Sequence, residues 1–376
     1  MTVRRKRDAS VLWAASALAL ALTLNPLSAF AACSWQRNAI SDPLFSISAI
    51  GPNDIWTSGG GAASGTLLYH WDGLQWSPTQ VSIPQVATST TFVSAPADDD
   101  VWGVSSYVDG AGNVQPYAIH FDGTMWTQTL LQTESPDAPR AVPIQAFASN
   151  DVWAVGSVSD AAHHVKEIYA PEHWNGSGWS TGQFEIPMVR GQPTPNFEID
   201  ALEGVSSTDL WAVGKVTGYR PLIEHFDGVH WRTVPDQTLK AIVIQGVHAI
   251  SSIDVWGVGY ASDVTQHLRT FAAHWNGVAW APVPTPNFDG RSGDSNVLQA
   301  VSGSGPNDVW AVGTVEDGQG NFSLLAEHWN GTSWSIVRRP TIMGSGLLNA
   351  VADLSPNDVW AVGVSGLGLT DFWCGL

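Results

Sequence analysis

The chain has 376 residues, 44% of them hydrophobic, and a formal net charge of -18 at neutral pH. A body so acidic is a poor partner for nucleic acid, which needs Lys and Arg against phosphate, and it disfavours anionic lipid surfaces. Length statistics alone would suggest two or three domains, but internal repeats override them, because a periodic chain can close into one body.

Residues 1–31 read as an address and not as fold. Arg4-Arg5-Lys6-Arg7 is a basic n-region, and Val11 to Leu24 is an apolar h-region too short to span a bilayer comfortably. Ala29-Phe30-Ala31 is a small-residue cleavage site, which makes Ala32 the expected mature N-terminus. Four basic residues and one acid leave with this segment, taking the net charge from -18 to -21. No other apolar run reaches transmembrane length, so a secreted chain without membrane insertion is expected.

From residue 32 onward one stretch returns seven times, in its cleanest form Pro306-Asn307-Asp308-Val309-Trp310-Ala311-Val312-Gly313. The Pro-Asn-Asp run reads as a tight turn. The Val-Trp run reads as a short strand buried on both faces, and the glycine as a bend or close backbone approach. Its tryptophans are Trp56, Trp102, Trp153, Trp211, Trp256, Trp310 and Trp360. The aligned aspartates are Asp54, Asp100, Asp151, Asp209, Asp254, Asp308 and Asp358; each is expected to cap its own turn rather than join a catalytic ring.

Each unit then follows one script. An apolar first strand precedes the Asp turn and the Val-Trp second strand. A variable connection leads to a third strand ending in His-Trp or His-Phe. An Asp-Gly or Asn-Gly pair, such as Asn330-Gly331, is expected to make a two-residue hairpin turn into a fourth strand opening with Trp. The histidines are His70, His120, His173, His225, His274 and His328; one per unit, spaced around a disk, they cannot converge on a metal and should make a repeated structural hydrogen bond. Four antiparallel strands per unit, repeated radially, describe a β-propeller blade.

The seventh unit stops at Phe372-Trp373-Cys374-Gly375-Leu376, with Phe372-Trp373 in the place of His-Trp. Cys33-Ser34-Trp35 matches the missing fourth strand, as Thr332-Ser333-Trp334 stands in the sixth unit. The expectation is an all-β, seven-bladed propeller over residues 32–376, its last blade closed by the N-terminal strand. In that register the two cysteines fall within bridging range, so a Cys33–Cys374 disulfide is expected to fasten the ring. The competing reading takes Cys33 as an acylated lipoprotein cysteine, which would leave Cys374 unpaired.

Units of the form NDVWAVG…HWNGxxW resemble the repeats of secreted bacterial seven-bladed propellers and, more loosely, the kelch and galactose-oxidase-like group; the DGxxW turns are similar to Asp-box hairpins. Galactose oxidase would imply copper held by Tyr and His with a Cys-linked tyrosine, but both cysteines are committed elsewhere, so no cofactor is carried over. Sialidases would imply an arginine triad with a Tyr–Glu pair, and no such signature precedes the first unit. The resemblance implies fold and not activity.

Function is then sought on the long, irregular connections between second and third strands and between blades, since loops on a rigid scaffold carry it. The candidate ligand-binding residues are Tyr107, Tyr219, Arg220 and Tyr260, then His163, His267 and Arg269. Asn196-Phe197 and Asn287-Phe288 complete the set, within two copies of a Pro-Thr-Pro-Asn-Phe segment. Residues 289–296 offer oxygen donors but lack the spacing of a calcium loop. The leading expectation is a monomeric, non-catalytic binding module for an extracellular glycan or protein. The alternatives are a hydrolase or lyase acting on an extracellular polysaccharide at the channel mouth, and a structural or surface-display protein.

Overall fold

The computed structural model describes residues 35–375 apart from residues 39, 41, 61–67, 80, 82–91, 111–113, 133–142, 161–164, 190, 195–196, 217–219, 236–238, 240–241, 289–293, 338–345 and 366–370. The expected signal segment, His163, Asn196 and Tyr219 therefore lie outside the described residues. No described helix is long and apolar enough to cross a membrane.

The described strands form four-stranded antiparallel sheets, the blades of a β-propeller. Six sheets are built from consecutive strands, over residues 44–79, 92–130, 144–181, 197–233, 242–283 and 295–336. A further four-stranded sheet is composite: Gly346–Ser355, Asp358–Ser365 and Asp371–Gly375 pair in order, and Trp35–Asn38 adds to the edge of Asp371–Gly375. A short hairpin, Met188–Val189 with Gln192–Pro193, lies between the third and fourth of these sheets. Strands are labelled A to D outward within each sheet, and sheets are numbered in chain order with the composite sheet last.

The B strand shows why the repeat reads as it does. Val309, Trp310, Ala311 and Val312 are each no more than 3% exposed, so both faces of the strand are covered. Gly313 follows because the A strand bulges between Leu298 and Ala300 and crosses close by. A Cβ at Gly313 would run into the carbonyl oxygen of Val297. Gly214, Gly259 and Gly363 meet the same obstruction in their own sheets.

Two local expectations are corrected. The C–D hairpins are four-residue loops, not two-residue turns: Trp71 pairs with Trp76, and Asp72 N–H bonds back to the Gln75 carbonyl. Asp72 Oδ1 accepts the amides of Leu74 and Gln75, both at 2.8 Å, and Gly73 takes φ 87°. One carboxylate satisfying two backbone donors closes the wider loop. The aspartates that recur in register, in turn, do more than cap turns. Asp54, Asp100, Asp151, Asp209, Asp254 and Asp308 bond the C-strand histidines His70, His120, His173, His225, His274 and His328 at 2.7–2.8 Å. The histidine serves the structural role expected of it.

Each of these imidazoles lies against the B-strand tryptophan of its own blade, from 4.0 Å for Trp102–His120 to 4.6 Å for Trp310–His328. The same tryptophan then meets the next blade. Trp102 contacts Trp174 and Trp179, Trp211 contacts Trp275 and Trp280, and Trp256 contacts Trp329 and Trp334. Trp360 of the composite blade packs on Trp71 and Trp76 of the first blade, and Trp310 of the sixth packs on Trp35. Aromatic packing thus runs across the junctions on both sides of the composite sheet.

The composite blade departs from its expected register by one residue. Val359 pairs with Cys374 and Trp360 with Trp373, whereas Val309 pairs with Trp329 and Trp310 with His328. Cys374, not Trp373, therefore stands at the position of Trp329. Trp35 faces Cys374 as Trp334 faces Trp329. Trp35 meets Trp310 edge-on at 5.7 Å, as Trp334 meets Trp256 at 5.3 Å, so the tryptophan contact fixes this register. Cys33 lies outside the described residues and Cys374 is described only in its backbone; no disulfide is seen among the described residues.

Candidate functional site

The A strands face one another across a central channel of about 900 Å³. They are tied sideways by short links. Val93 N–H bonds Ser46 Oγ at 2.9 Å, Ala146 N–H bonds Ser94 Oγ at 2.9 Å, and Asp353 N–H bonds Ser302 Oγ at 3.0 Å. Asn349 Nδ2 donates to the Leu44 carbonyl at 2.7 Å and joins the composite blade to the first. Gly246 permits this closeness, since a Cβ there would sit 2.9 Å from Ala300 Cα.

The A-strand bulges decide what lines the channel. A bulge inserts one residue and re-aims its side chain. The register shifts at Leu44/Ser46, Ile199/Ala201, Ile244/Gly246, Leu298/Ala300 and Leu348/Ala350 mark Phe45, Asp200, Gln245, Gln299 and Asn349 as the extra residues. All five line the channel. A second tier follows three residues on, at Ser48, Glu203, His248 and Ser302, joined by Ser94 and Gln145 from the blades between. Asp353, one position further along its strand, completes the polar wall near the A–B turns.

The charged groups are held firmly. His248 Nδ1 lies 2.6 Å from Glu203 Oε1, and its Nε2 lies 2.9 Å from the Gly303 carbonyl. A carbonyl and a carboxylate only accept, so both ring nitrogens carry protons and His248 is an imidazolium. Burial would lower its pKa, but the Glu203 charge and hydrogen bond outweigh that and raise it. Asp353 Oδ2 accepts Ser304 N–H at 2.9 Å, while its Oδ1 is buried with no partner among the described residues. Burial, with the Asp308 charge behind it, pushes the Asp353 carboxyl up to about 7. Gln245 Oε1 is likewise buried without a partner among the described residues. No lysine or arginine is among the described residues lining the channel.

Those of the residues singled out from the loops that are described are placed elsewhere, and none of them lines the channel. Tyr107 is in the B strand Asp100–Val108, half-buried, with its ring 5.9 Å from Tyr117. Tyr260 pairs between Val243 and Thr270 inside its sheet. Arg220 opens the C strand Arg220–Phe226 and is exposed. His267 and Arg269 come together, but to brace one turn. Asp263 Oδ1 accepts the His267 amide at 3.0 Å, and Arg269 Nε bonds Asp263 Oδ2 at 2.9 Å. Phe197 is 4% exposed and packs in the core with Phe184 and Tyr169. Asn287 Oδ1 accepts Thr270 N–H at 2.9 Å, and Phe288 N–H bonds Asn296 Oδ1 at 2.9 Å. The second copy of the Pro-Thr-Pro-Asn-Phe segment is thus stitched to its blade through Asn287.

Sequence reasoning missed the channel residues. A signal existed: in the A-strand runs, Asp200, Gln245, Gln299 and Asn349 are polar residues nine positions before the aspartate of the Asp turn, and Glu203 and His248 stand six before it. It also missed Glu172, Glu224 and Glu327, each fully buried immediately before a C-strand histidine. Burial drives Glu224 and Glu327 up to about 8.

The fold and the channel define a β-propeller with a polar, acceptor-rich centre. No family model matches the sequence, and no curated protein matches it. Nothing in these comparisons supports the kelch or galactose-oxidase-like grouping suggested by the motifs. Among solved structures, YCF48 from Cyanidioschyzon merolae is similar with a TM-score of 0.59 at 15% identity, covering 91% of this chain and 99% of that one. YCF48 bound to D1 peptide gives 0.54 at 15% identity, covering 92% and 95%. The Aleuria aurantia lectin with Fucalpha1-6GlcNAc gives 0.48 at 13% identity, covering 80% and 96%. These likenesses are of fold.

Proposed function

We propose that the protein is a secreted, monomeric, non-catalytic binding module that takes part of an extracellular protein or glycan into its central channel. In this reading the mature chain is one seven-bladed ring, closed by its N-terminal strand and fastened by a Cys33–Cys374 disulfide. The observation that carries it is the channel wall: a cavity of about 900 Å³ ringed by bulge-directed amides and carboxyls. That volume lies in the range of ordinary ligand sites, and convergent polar groups on a rigid frame are what orient a ligand. The variable loops around one mouth remain available to add contacts. That YCF48 is found with a D1 peptide supplies a precedent for a peptide on this fold.

A hydrolytic reading has one observation in its favour, the juxtaposition of Glu203, His248 and Asp353 in the channel wall. It is the weaker reading, because both His248 nitrogens are engaged by protein acceptors and neither is available as a base. Glycan and peptide arrays probed with the full chain test the proposal. Specific binding that weakens at least tenfold on Gln299→Leu is expected. Turnover of an arrayed substrate that Asp353→Asn abolishes would replace binding with catalysis.

A further inference from the structure

One junction between blades departs from the repeat. In four blades the C strand ends in a tryptophan that covers the B-strand tryptophan of the neighbouring blade. Trp71 lies over Trp360, Trp174 over Trp102, Trp275 over Trp211 and Trp329 over Trp256, at 5.0–5.8 Å. Each Nε1 donates to a carbonyl of its own A–B turn, those of Pro52, Ser149, Ser252 and Pro306, at 3.1–3.2 Å. In the fourth blade that position belongs to Phe226, which packs 4.8 Å from Trp153. Ser207 stands where those carbonyl residues stand, two before the turn aspartate, and a phenylalanine has no N–H to give it. Here a cleft of about 540 Å³ opens between the third and fourth blades. Trp153, Phe226 and Ser207 line it, with the exposed polar side chains of Asn150, Thr181 and Thr208. It shares no lining residue with the channel.

We infer that this cleft receives an exposed tryptophan side chain of a partner protein, whose indole takes the place that the repeat fills with its own. The fold makes the complementary contact four times: a flat ring against a tryptophan, with one N–H to the turn carbonyl. Tryptophan alone among side chains joins a large apolar ring to a single N–H donor, which suits it to a surface that is apolar at one end and wet at the other. A sugar would stack through C–H groups and lacks the flat aromatic face seen at those junctions. The cleft is larger than one indole, so residues flanking the tryptophan enter with it and meet Asn150, Thr181 and Thr208. A buried aromatic anchor with a polar rim is the usual form of a protein contact.

The test is fluorescence anisotropy with the full chain and labelled octapeptides that differ only at one central residue: Trp, 1-methyl-Trp or Ala. N-acetyltryptophanamide is included as a competitor. Trp peptides are expected to bind, and 1-methyl-Trp, which keeps the ring and loses the N–H, should cost at least tenfold. Phe226→Trp installs the resident indole of the four sister blades; it should cost at least tenfold in affinity with the melting temperature kept or raised. If that variant melts lower, the 1-methyl comparison on the parent chain decides. Gln299→Leu, in the channel, should leave Trp-peptide affinity unchanged, so this inference and the channel reading fail separately. Phe121 makes the same exchange above Trp56, and Phe121→Trp is the comparison. Binding lost on Phe121→Trp and not on Phe226→Trp would overturn the assignment to this cleft. No binding of Trp peptides, equal binding of 1-methyl-Trp peptides, or affinity untouched by Phe226→Trp would overturn the inference. N-acetyltryptophanamide binding tighter than any peptide would overturn the protein source. A glycan whose binding Phe226→Trp abolishes, with no Trp peptide bound, would overturn the ligand class.

Discussion

Glu224 and Glu327 show what one side chain can do to the pH response of the whole molecule. Glu327 is fully buried, and both its oxygens lack partners among the described residues. Burial raises it from 4.5 to about 8, and it does the same to Glu224, whose Oε1 keeps one bond from Thr233. A carboxyl whose folded pKa lies above its unfolded one binds its proton more tightly in the fold. Its stabilising contribution is complete below about 4.5 and is lost as pH climbs to about 8. Glu327→Gln should therefore match the parent in thermal melts at pH 5 and exceed it at pH 8.5. A variant less stable than the parent at pH 8.5 would contradict the assignment. Gly313 makes the opposite case, since Gly313→Ala puts a methyl against the Val297 carbonyl. A loss of about 3 kcal/mol or more in denaturant melts is expected. The sequence offered Gly313 as a bend or a close backbone approach, and the second is what the strand Asp308–Glu316 shows. It hid Glu327, since a Glu before a His reads as solvated until burial is known.

At the scale of the blade, the unit is an Asp–His–Trp tether joined to a neighbour's aromatics. Asp100 accepts from His120 at 2.8 Å and from Trp102 Nε1 at 2.9 Å, and the imidazole lies flat on the Trp102 ring. Asp100→Ala removes both bonds at once, and about 1–3 kcal/mol of destabilisation is expected in chemical unfolding. His120→Phe keeps the stack and should cost less than Asp100→Ala; the reverse order would mean that the stack, not the hydrogen bond, dominates. The blade was legible because its cues are local: turn residues, β-branched runs and Asx-Gly pairs act over a few positions. The one-residue shift at Cys374 was not. There a contact between Trp35 and Trp310 overrides the hairpin analogy, and such long-range packing leaves no mark in spacing. The bulges that aim Asp200, Gln245 and Gln299 inward were hidden for the same reason. A strand with one extra residue looks like an ordinary strand until its partner's register is known.

The composite sheet governs the molecule as a whole. Residues on its far side reach the first blade through Asn349 and Leu44, a link across 305 residues, and through Trp360 against Trp71 and Trp76. Truncating the chain before Ile40 removes the strand Trp35–Asn38, exposes the edge of Asp371–Gly375 and bares one side of Trp310. A lower melting temperature and concentration-dependent association through that bare edge are expected, read by calorimetry and light scattering. The sequence already paired both ends of the chain, since the missing fourth strand and its surplus copy stood at opposite termini. It did not reveal the working centre, because a channel wall is assembled from one or two residues of every blade.

The same arrangement sets an order on events. The strand Trp35–Asn38 is made first but has no partner until Asp371–Gly375 exists. Any passage of this chain, out of a ribosome or through a translocation pore, must carry that early strand unmatched while every intervening blade forms. The final stitch is then a single capture that waits until Asp371–Gly375 has emerged.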